Sequence, residues 1–248
     1  MGHNLDKMII HTEFVNLPVL DGTSMRAFVA RPEDPHLTAG VMVFQEIFGV
    51  NRHIREVTER CAGEGYLAIA PELFHRTGPG FESGYTDMAP GRAHALAMTD
   101  DGLTADICAT FDWLQNSGGA KLPVASIGFC MGGRVACLSA LTAPVTCAVS
   151  YYGSGIAPHP SYKINLLDRF AEIHAPMLYC WGGLDGFIKP ENVQQVTQAM
   201  RAANKPFVSA EFSDADHGFF CDLRASHNSN AAREAWALTL AFLKNHTG

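Results

Sequence analysis

Residues 124–133 read Val124-Ala-Ser-Ile-Gly128-Phe129-Cys130-Met131-Gly132-Gly133: an apolar run, then G-x-C-x-G, then a segment with Val135, Leu138 and Leu141 at helical spacing. Strand, sharp turn and helix in that order describe a nucleophile elbow with cysteine in the nucleophile position. Small residues two before and two after Cys130 let neighbouring backbone approach closely, and the helix N-terminus lends positive potential to a developing anion. A lone cysteine would read more simply as a small core residue. Strand, glycines and helix together favour the elbow.

Outward from this unit, apolar runs bounded by turn residues recur at Gly40–Phe44, Tyr66–Ala70 and Val145–Tyr151, and Met177–Trp181 and Phe207–Phe212 extend the series. Continuous apolar runs are expected of strands buried on both faces. Helical patterns separate them at Ile54–Gly63, Leu103–Gln115, Gly132–Leu141, Glu191–Ala202 and Ala231–Leu243. Strand alternating with helix predicts an α/β fold: a mostly parallel sheet with helices on both faces. Ile9–Asn16 and Met25–Arg31 flank Asp21-Gly22 and predict an N-terminal antiparallel hairpin at the sheet edge. Pro32 to Pro35 then precede the apolar runs. No repeat, low-complexity tract or linker divides residues 1–248, so one domain is expected. His75 to Arg92, rich in Gly, Pro and polar residues, is the longest excursion, and it lies just beyond a strand's carboxyl end, where such sheets bind ligands.

The 248 residues carry 25 acidic against 18 basic side chains, 47% hydrophobic and 17% charged, with a formal net charge of −7. That balance fits a packed globule and argues against disorder and against nucleic acid as the main partner. Met1 to His11 lacks the pattern of a secretory signal. The uncharged stretch between Arg134 and Lys163 is broken by Pro144, Gly153, Gly155, Pro158 and His159, so it reads as helix, turn, strand and loop rather than a membrane span. Seven scattered cysteines suggest reduced thiols and a cytoplasmic setting. There is no C-x-x-C pair, H-E-x-x-H, EF-hand loop, Walker A sequence or strand followed by G-x-G-x-x-G, so no metal or nucleotide cofactor is expected. His217 and Cys221 are spaced i,i+4 but lack a second ligand pair.

An acyl-transfer nucleophile needs a base and a group that orients it, expected in the order nucleophile, acid, histidine. Asp185 follows the strand Met177–Trp181, and His217 follows Phe207–Phe212; both fall at strand carboxyl ends in that order. Singly, each would pass for a turn or surface residue. His75, His94, His159 and His174 precede the acid, and His227 is expected to begin the last helix. Asp214 and Asp216 read as shaping the turn. After the strand ending at Phe44, the loop Gln45-Glu46-Ile47-Phe48-Gly49 is placed for an oxyanion hole, with the Ile47 and Met131 N–H groups as candidate donors. Glu46 alone is ambiguous: a base for the thiol, or a loop residue paired with Arg52 or Arg55. Phe81, Tyr85, Tyr152 and Phe219 could line an acyl pocket, but such aromatics usually belong to the core, so no role is given them.

Gln45-Glu-Ile-Phe-Gly-Val-Asn51, Gly128-Phe-Cys-Met-Gly-Gly-Arg134, Tyr151-Tyr-Gly153, Trp181-Gly-Gly-Leu-Asp185 and Asp216-His217-Gly-Phe219 together resemble the dienelactone hydrolase (carboxymethylenebutenolidase) family of α/β-hydrolases, from about Gly40 onward. The resemblance implies the α/β-hydrolase fold, with Cys130 as nucleophile, His217 as base and Asp185 as orienting acid. It also implies that Glu46 holds the resting thiol and takes its proton as substrate arrives. The family grips a substrate carboxylate with arginines, one of them four residues after the catalytic histidine, where this chain has Cys221. Arg224 is the nearest later cation, and Arg92 and Arg76 are the options for the other. The expected activity is ester or lactone hydrolysis of a small molecule through an acyl-enzyme. A broad carboxylesterase or thioesterase is the alternative within the enzyme class, and a thiol sensor acting through Cys130 the alternative outside it.

Overall fold

The computed structural model describes residues 9–34, 37–117, 121–159 and 164–248. Most of the N-terminal segment read for a signal, Pro35, and Lys163 at the end of the uncharged stretch lie outside these residues.

Within the described residues eight strands form one sheet: β1 (Ile10–Pro18), β2 (Ser24–Pro32), β3 (Gly40–Phe44), β4 (Leu67–Pro71), β5 (Val124–Phe129), β6 (Cys147–Tyr151), β7 (Met177–Gly182) and β8 (Phe207–Phe212). Their order across the sheet is β1-β2-β4-β3-β5-β6-β7-β8. β2 runs antiparallel to both neighbours, and every pairing from β4 to β8 is parallel. The hairpin turns where Asp21 Oδ1 accepts from the Thr23 N–H at 3.0 Å. β3 to β7 are wholly buried, as their unbroken apolar runs require, whereas β8 at the edge is half-exposed.

Among the described residues six helices cover the sheet: α1 (Arg52–Gly63), α2 (Ala89–Ala97), α3 (Asp100–Ser117), α4 (Met131–Thr142), α5 (Pro190–Ala202) and α6 (Ser229–Thr247), with a 3₁₀ turn at Leu166–Glu172. Side-chain alternation along β5 and β6 shows which helices share a face. Ser126 hydrogen-bonds Ser139 of α4 at 2.8 Å on one side. On the other, Phe129 lies against His53 of α1, and the Tyr151 hydroxyl bonds Thr239 of α6. α4 is buried all round from Met131 to Ala140, the property of a central helix.

The expected and observed elements differ in two informative places. α2 sits at the end of the excursion expected to be loop; it buries only Gly91 completely, so it offers almost no apolar periodicity to read. The last helix begins after His227, because the Asn228 side chain caps it by accepting from the Ala231 N–H at 3.1 Å.

Candidate active site

β5 carries Cys130 to the carboxyl edge of the sheet, where its backbone is held at φ 55°, a left-handed conformation that a non-glycine residue adopts only under constraint. The constraint is visible. Cys130 N–H donates to the Tyr151 carbonyl at 3.0 Å, while its own carbonyl accepts from Gly133 and Ser154. A side chain at Gly128 or Gly132 would strike backbone: the Cβ position at Gly128 is 1.8 Å from the Gly132 carbonyl oxygen, and that at Gly132 is 2.4 Å from the Phe44 carbonyl oxygen. Arg134, buried just behind, bonds Asp100 and the carbonyls of Gly155 and Ile164, tying the elbow helix to the loop after β6.

Asp185 and His217 arrive from the ends of β7 and β8, 32 residues apart in the chain. Asp185 Oδ2 accepts from His217 Nδ1 at 2.8 Å. Its other oxygen accepts from the N–H groups of Phe187 and Ile188 at 2.8 and 2.9 Å, which locks the carboxylate's orientation. His217 is buried, and burial pushes its imidazole down; the negative potential of Cys130 and the hydrogen bond His217 donates to Asp185 outweigh this and raise it to about 10.

Glu46 is buried under the same edge, but its hydrogen-bonded partner is Arg224, whose Nη1 donates to Oε1 at 2.9 Å. Its Oε2 has no partner among the described residues. Burial pushes the Glu46 carboxyl up against the opposing pull of Arg224 and His217. Neither arginine offered as an alternative partner is near it in bonding: Arg52 pairs with Glu56, and Arg55 with Glu82 and the Val50 carbonyl. The 178-residue separation of Glu46 and Arg224 explains why no local pattern announces their pair.

One pocket is lined by Ile47, Phe48, Met88, Arg92, Ala95, Leu96, Cys130, Met131, Ser154, His159, Phe187, His217 and Arg224. Cys130 and His217, both candidate oxyanion residues and both candidate cations thus meet there, and His159, which precedes the acid in the chain, joins them. Met131 is the first residue of α4, so its N–H is one of the helix's orphan donors. Arg76 is elsewhere, bound to Asp106 and Asp21. The other histidines are accounted for: His75 pairs with Asp106, His94 with Thr77, His174 with the Ala143 carbonyl and His227 with that of Phe219. Asp214 and Asp216 are exposed, Asp216 accepting from the His217 N–H. Tyr152, given no role from sequence, stands at φ 37° with its ring 5.0 Å from the His217 ring, and Tyr85 bonds Asn51 at 3.0 Å. All seven cysteines are free. His53, Cys221 and Asp222 bring their donor atoms within 4.8 Å of one another, the one such cluster among the described residues, and it does not include His217. No helix among the described residues is long and apolar enough to cross a membrane.

The Dienelactone hydrolase family matches residues 25–247, nearly the whole chain. The chain belongs to this family. It is 37% identical over 232 residues to a Synechocystis protein provisionally named carboxymethylenebutenolidase, covering 92% of this chain and 94% of that one. A carboxymethylenebutenolidase of a Pseudomonas species is 35% identical over 209 residues, 82% and 83% of the two chains. Among solved structures, a Klebsiella pneumoniae protein provisionally called a dienelactone hydrolase superposes with a TM-score of 0.86 at 34% identity, covering 95% of this chain and 99% of that one. The fold is that of the α/β-hydrolases, and the chain is a dienelactone hydrolase-like hydrolase.

Proposed function

We propose that this hydrolase cleaves carboxylic esters or lactones through a covalent acyl-enzyme on Cys130. The observation that carries the reading is the Asp185–His217 pair, bonded at 2.8 Å, opening with Cys130 onto one pocket. His217, raised to about 10 by its neighbours, carries a proton near neutral pH, and the thiolate that faces it forms when the thiol proton passes to Glu46 as substrate arrives. Sγ attacks the carbonyl carbon, and the charge that develops on the carbonyl oxygen is met by the Ile47 and Met131 N–H groups. Collapse expels the alkoxide, which takes the proton from His217; in a lactone it stays tethered to the acyl group. His217 then deprotonates a water, which attacks the thioester and releases the acid with the thiolate restored. Asp185 holds the tautomer and supports the imidazolium throughout.

Arg92 and Arg224 at the pocket favour a substrate that carries a carboxylate, with Arg224 first having to loosen from Glu46. Glu46 is then the carboxylate that takes up the thiol proton on substrate arrival. The names of the relatives support the lactone arm. A panel of lactones, aryl esters and thioesters, with and without a second carboxylate, tests the reading. Multiple turnovers on anionic lactones or esters are expected, while equal turnover on neutral esters and thioesters would point to a broad carboxylesterase or thioesterase. One stoichiometric acylation without turnover would make the protein a thiol sensor.

A further inference from the structure

The segment from Glu72 to Thr99, between β4 and α3, is stitched to the short loop that carries Ile47. Ser83 N–H donates to the Phe48 carbonyl at 3.1 Å, and Gly49 and Glu82 form an isolated antiparallel bridge. Tyr85 accepts from Asn51 at 3.0 Å and packs edge-on against Phe48, ring centroids 4.6 Å apart. Two contacts are closer still, and both need glycine. The Cβ position at Gly49, where φ is +80°, lies 2.0 Å from the Phe81 carbonyl oxygen. That at Gly91 lies 1.9 Å from the Ile47 carbonyl oxygen. α2 therefore rests its one fully buried residue directly on the backbone of Ile47.

A helix so exposed gains little from burial, so its placement has another use. We propose that Gly91 is a positioning residue for the oxyanion hole: α2, seated through Gly91, sets the backbone of Ile47 so that the Ile47 N–H points at the carbonyl oxygen of the bound acyl group. The proposal rests on the acyl-enzyme reading above. The Ile47 carbonyl and N–H belong to adjacent peptide planes, so an added methyl at Gly91 that pushes the carbonyl away rotates the donor with it. Sub-ångström aim decides the worth of such a donor.

The test is steady-state hydrolysis of an aryl acetate by the full-length protein, whose small acyl group does not depend on α2 as a pocket wall. Loss of a whole oxyanion donor costs on the order of 10²–10³ in kcat, so displacing one in Gly91→Ala should cost about tenfold or more with KM little changed. Iodoacetamide labelling of Cys130, a displacement of iodide with no oxyanion, should keep its rate. Gly84→Ala, on the same segment with nothing within 4 Å of the new Cβ, should match wild type in both assays. Tyr85→Ala, which loosens the segment without inserting an atom, should lower kcat in the same direction and spare labelling, and it decides the matter if Gly91→Ala does not fold. Unchanged kcat in a folded Gly91→Ala protein, equal losses in kcat and labelling, or an equal loss in Gly84→Ala would each overturn the proposal. Intact mass in the same samples separates the two claims: if wild-type Cys130 acylates and Gly91→Ala is unaffected, only the positioning role falls.

Discussion

Among the described residues there are two buried histidine–aspartate pairs. His217 bonds Asp185 at 2.8 Å, and His75 bonds Asp106 at 3.0 Å. Both sit near the carboxyl edge of the sheet, and both carboxylates are buried. Their surroundings separate them. Asp185 spends its second oxygen on two backbone N–H groups, leaving His217 to face Cys130 and the pocket. Asp106 instead takes two bonds from Arg76, and the far nitrogen of His75 is buried without a partner among the described residues. A dyad becomes a base only where its outer nitrogen meets a nucleophile; otherwise it is a cross-link between the β4 end and α3.

Replacing the proposed nucleophile is the sharpest way to press this contrast. Cys130→Ala should lose at least about a thousandfold in turnover while folding normally, because the members of such a unit act together. The two histidines should then part company. His217→Ala should lose activity by orders of magnitude at near-wild-type melting temperature, and Asp185→Asn should follow with about 10²–10⁴. His75→Ala should cost about 2–3 kcal/mol of stability by opening a buried network, with the folded fraction retaining its kcat. A kcat collapse in folded His75→Ala would erase the distinction between the pairs.

The parts of this arrangement that could be read in the chain are those written locally. Val124–Gly133 carries strand, turn and helix within ten residues, and Asp185 and His217 each follow an apolar run that had to be a strand. The β3 bounds follow from the apolar run Gly40–Phe44, which the polar Gln45-Glu46 ends, and β8 is bracketed by Asn204-Lys-Pro206 and Ser213-Asp214. What could not be read depends on distant meetings. The Glu46–Arg224 pair joins the loop after β3 to the loop after β8, 178 residues apart, and His75–Asp106 needs the fold before its members are neighbours. α2 was missed for a different reason: its Ala-Pro-Gly-Arg-Ala-His-Ala-Leu-Ala composition has no apolar stripe, since the residue it buries is a glycine.

Glu46 gives a subtler test of the active pair. Its removal leaves the Arg224 cation uncompensated in the field of Cys130, so Glu46→Ala should speed iodoacetamide labelling of the free protein several-fold and lower turnover. Identical labelling profiles across pH for wild type and variant would take Glu46 out of the mechanism.

A separate expected effect concerns stability against pH rather than turnover. Burial pushes His53 down to about 4, with Asp222 only partly opposing it. The unfolded chain therefore binds the extra proton between about pH 6.5 and 4, so stability is intact above that window and is lost as pH falls through it, by about 3 kcal/mol at most. Denaturant midpoints measured from pH 7 to 4 should fall less steeply in His53→Phe than in wild type. Parallel curves would show that His53 is not the group that titrates.

The most direct test of the central claim is a rapid quench of the wild-type enzyme with a slowly hydrolysed aryl ester, followed by intact mass and peptide mapping. An acyl-enzyme on Cys130 requires an added acyl mass on the peptide containing Cys130, forming faster than it decays and vanishing at the rate of turnover. In His217→Ala any adduct that forms should persist. Turnover with no adduct on Cys130, or an acyl group mapped to another cysteine, would contradict it.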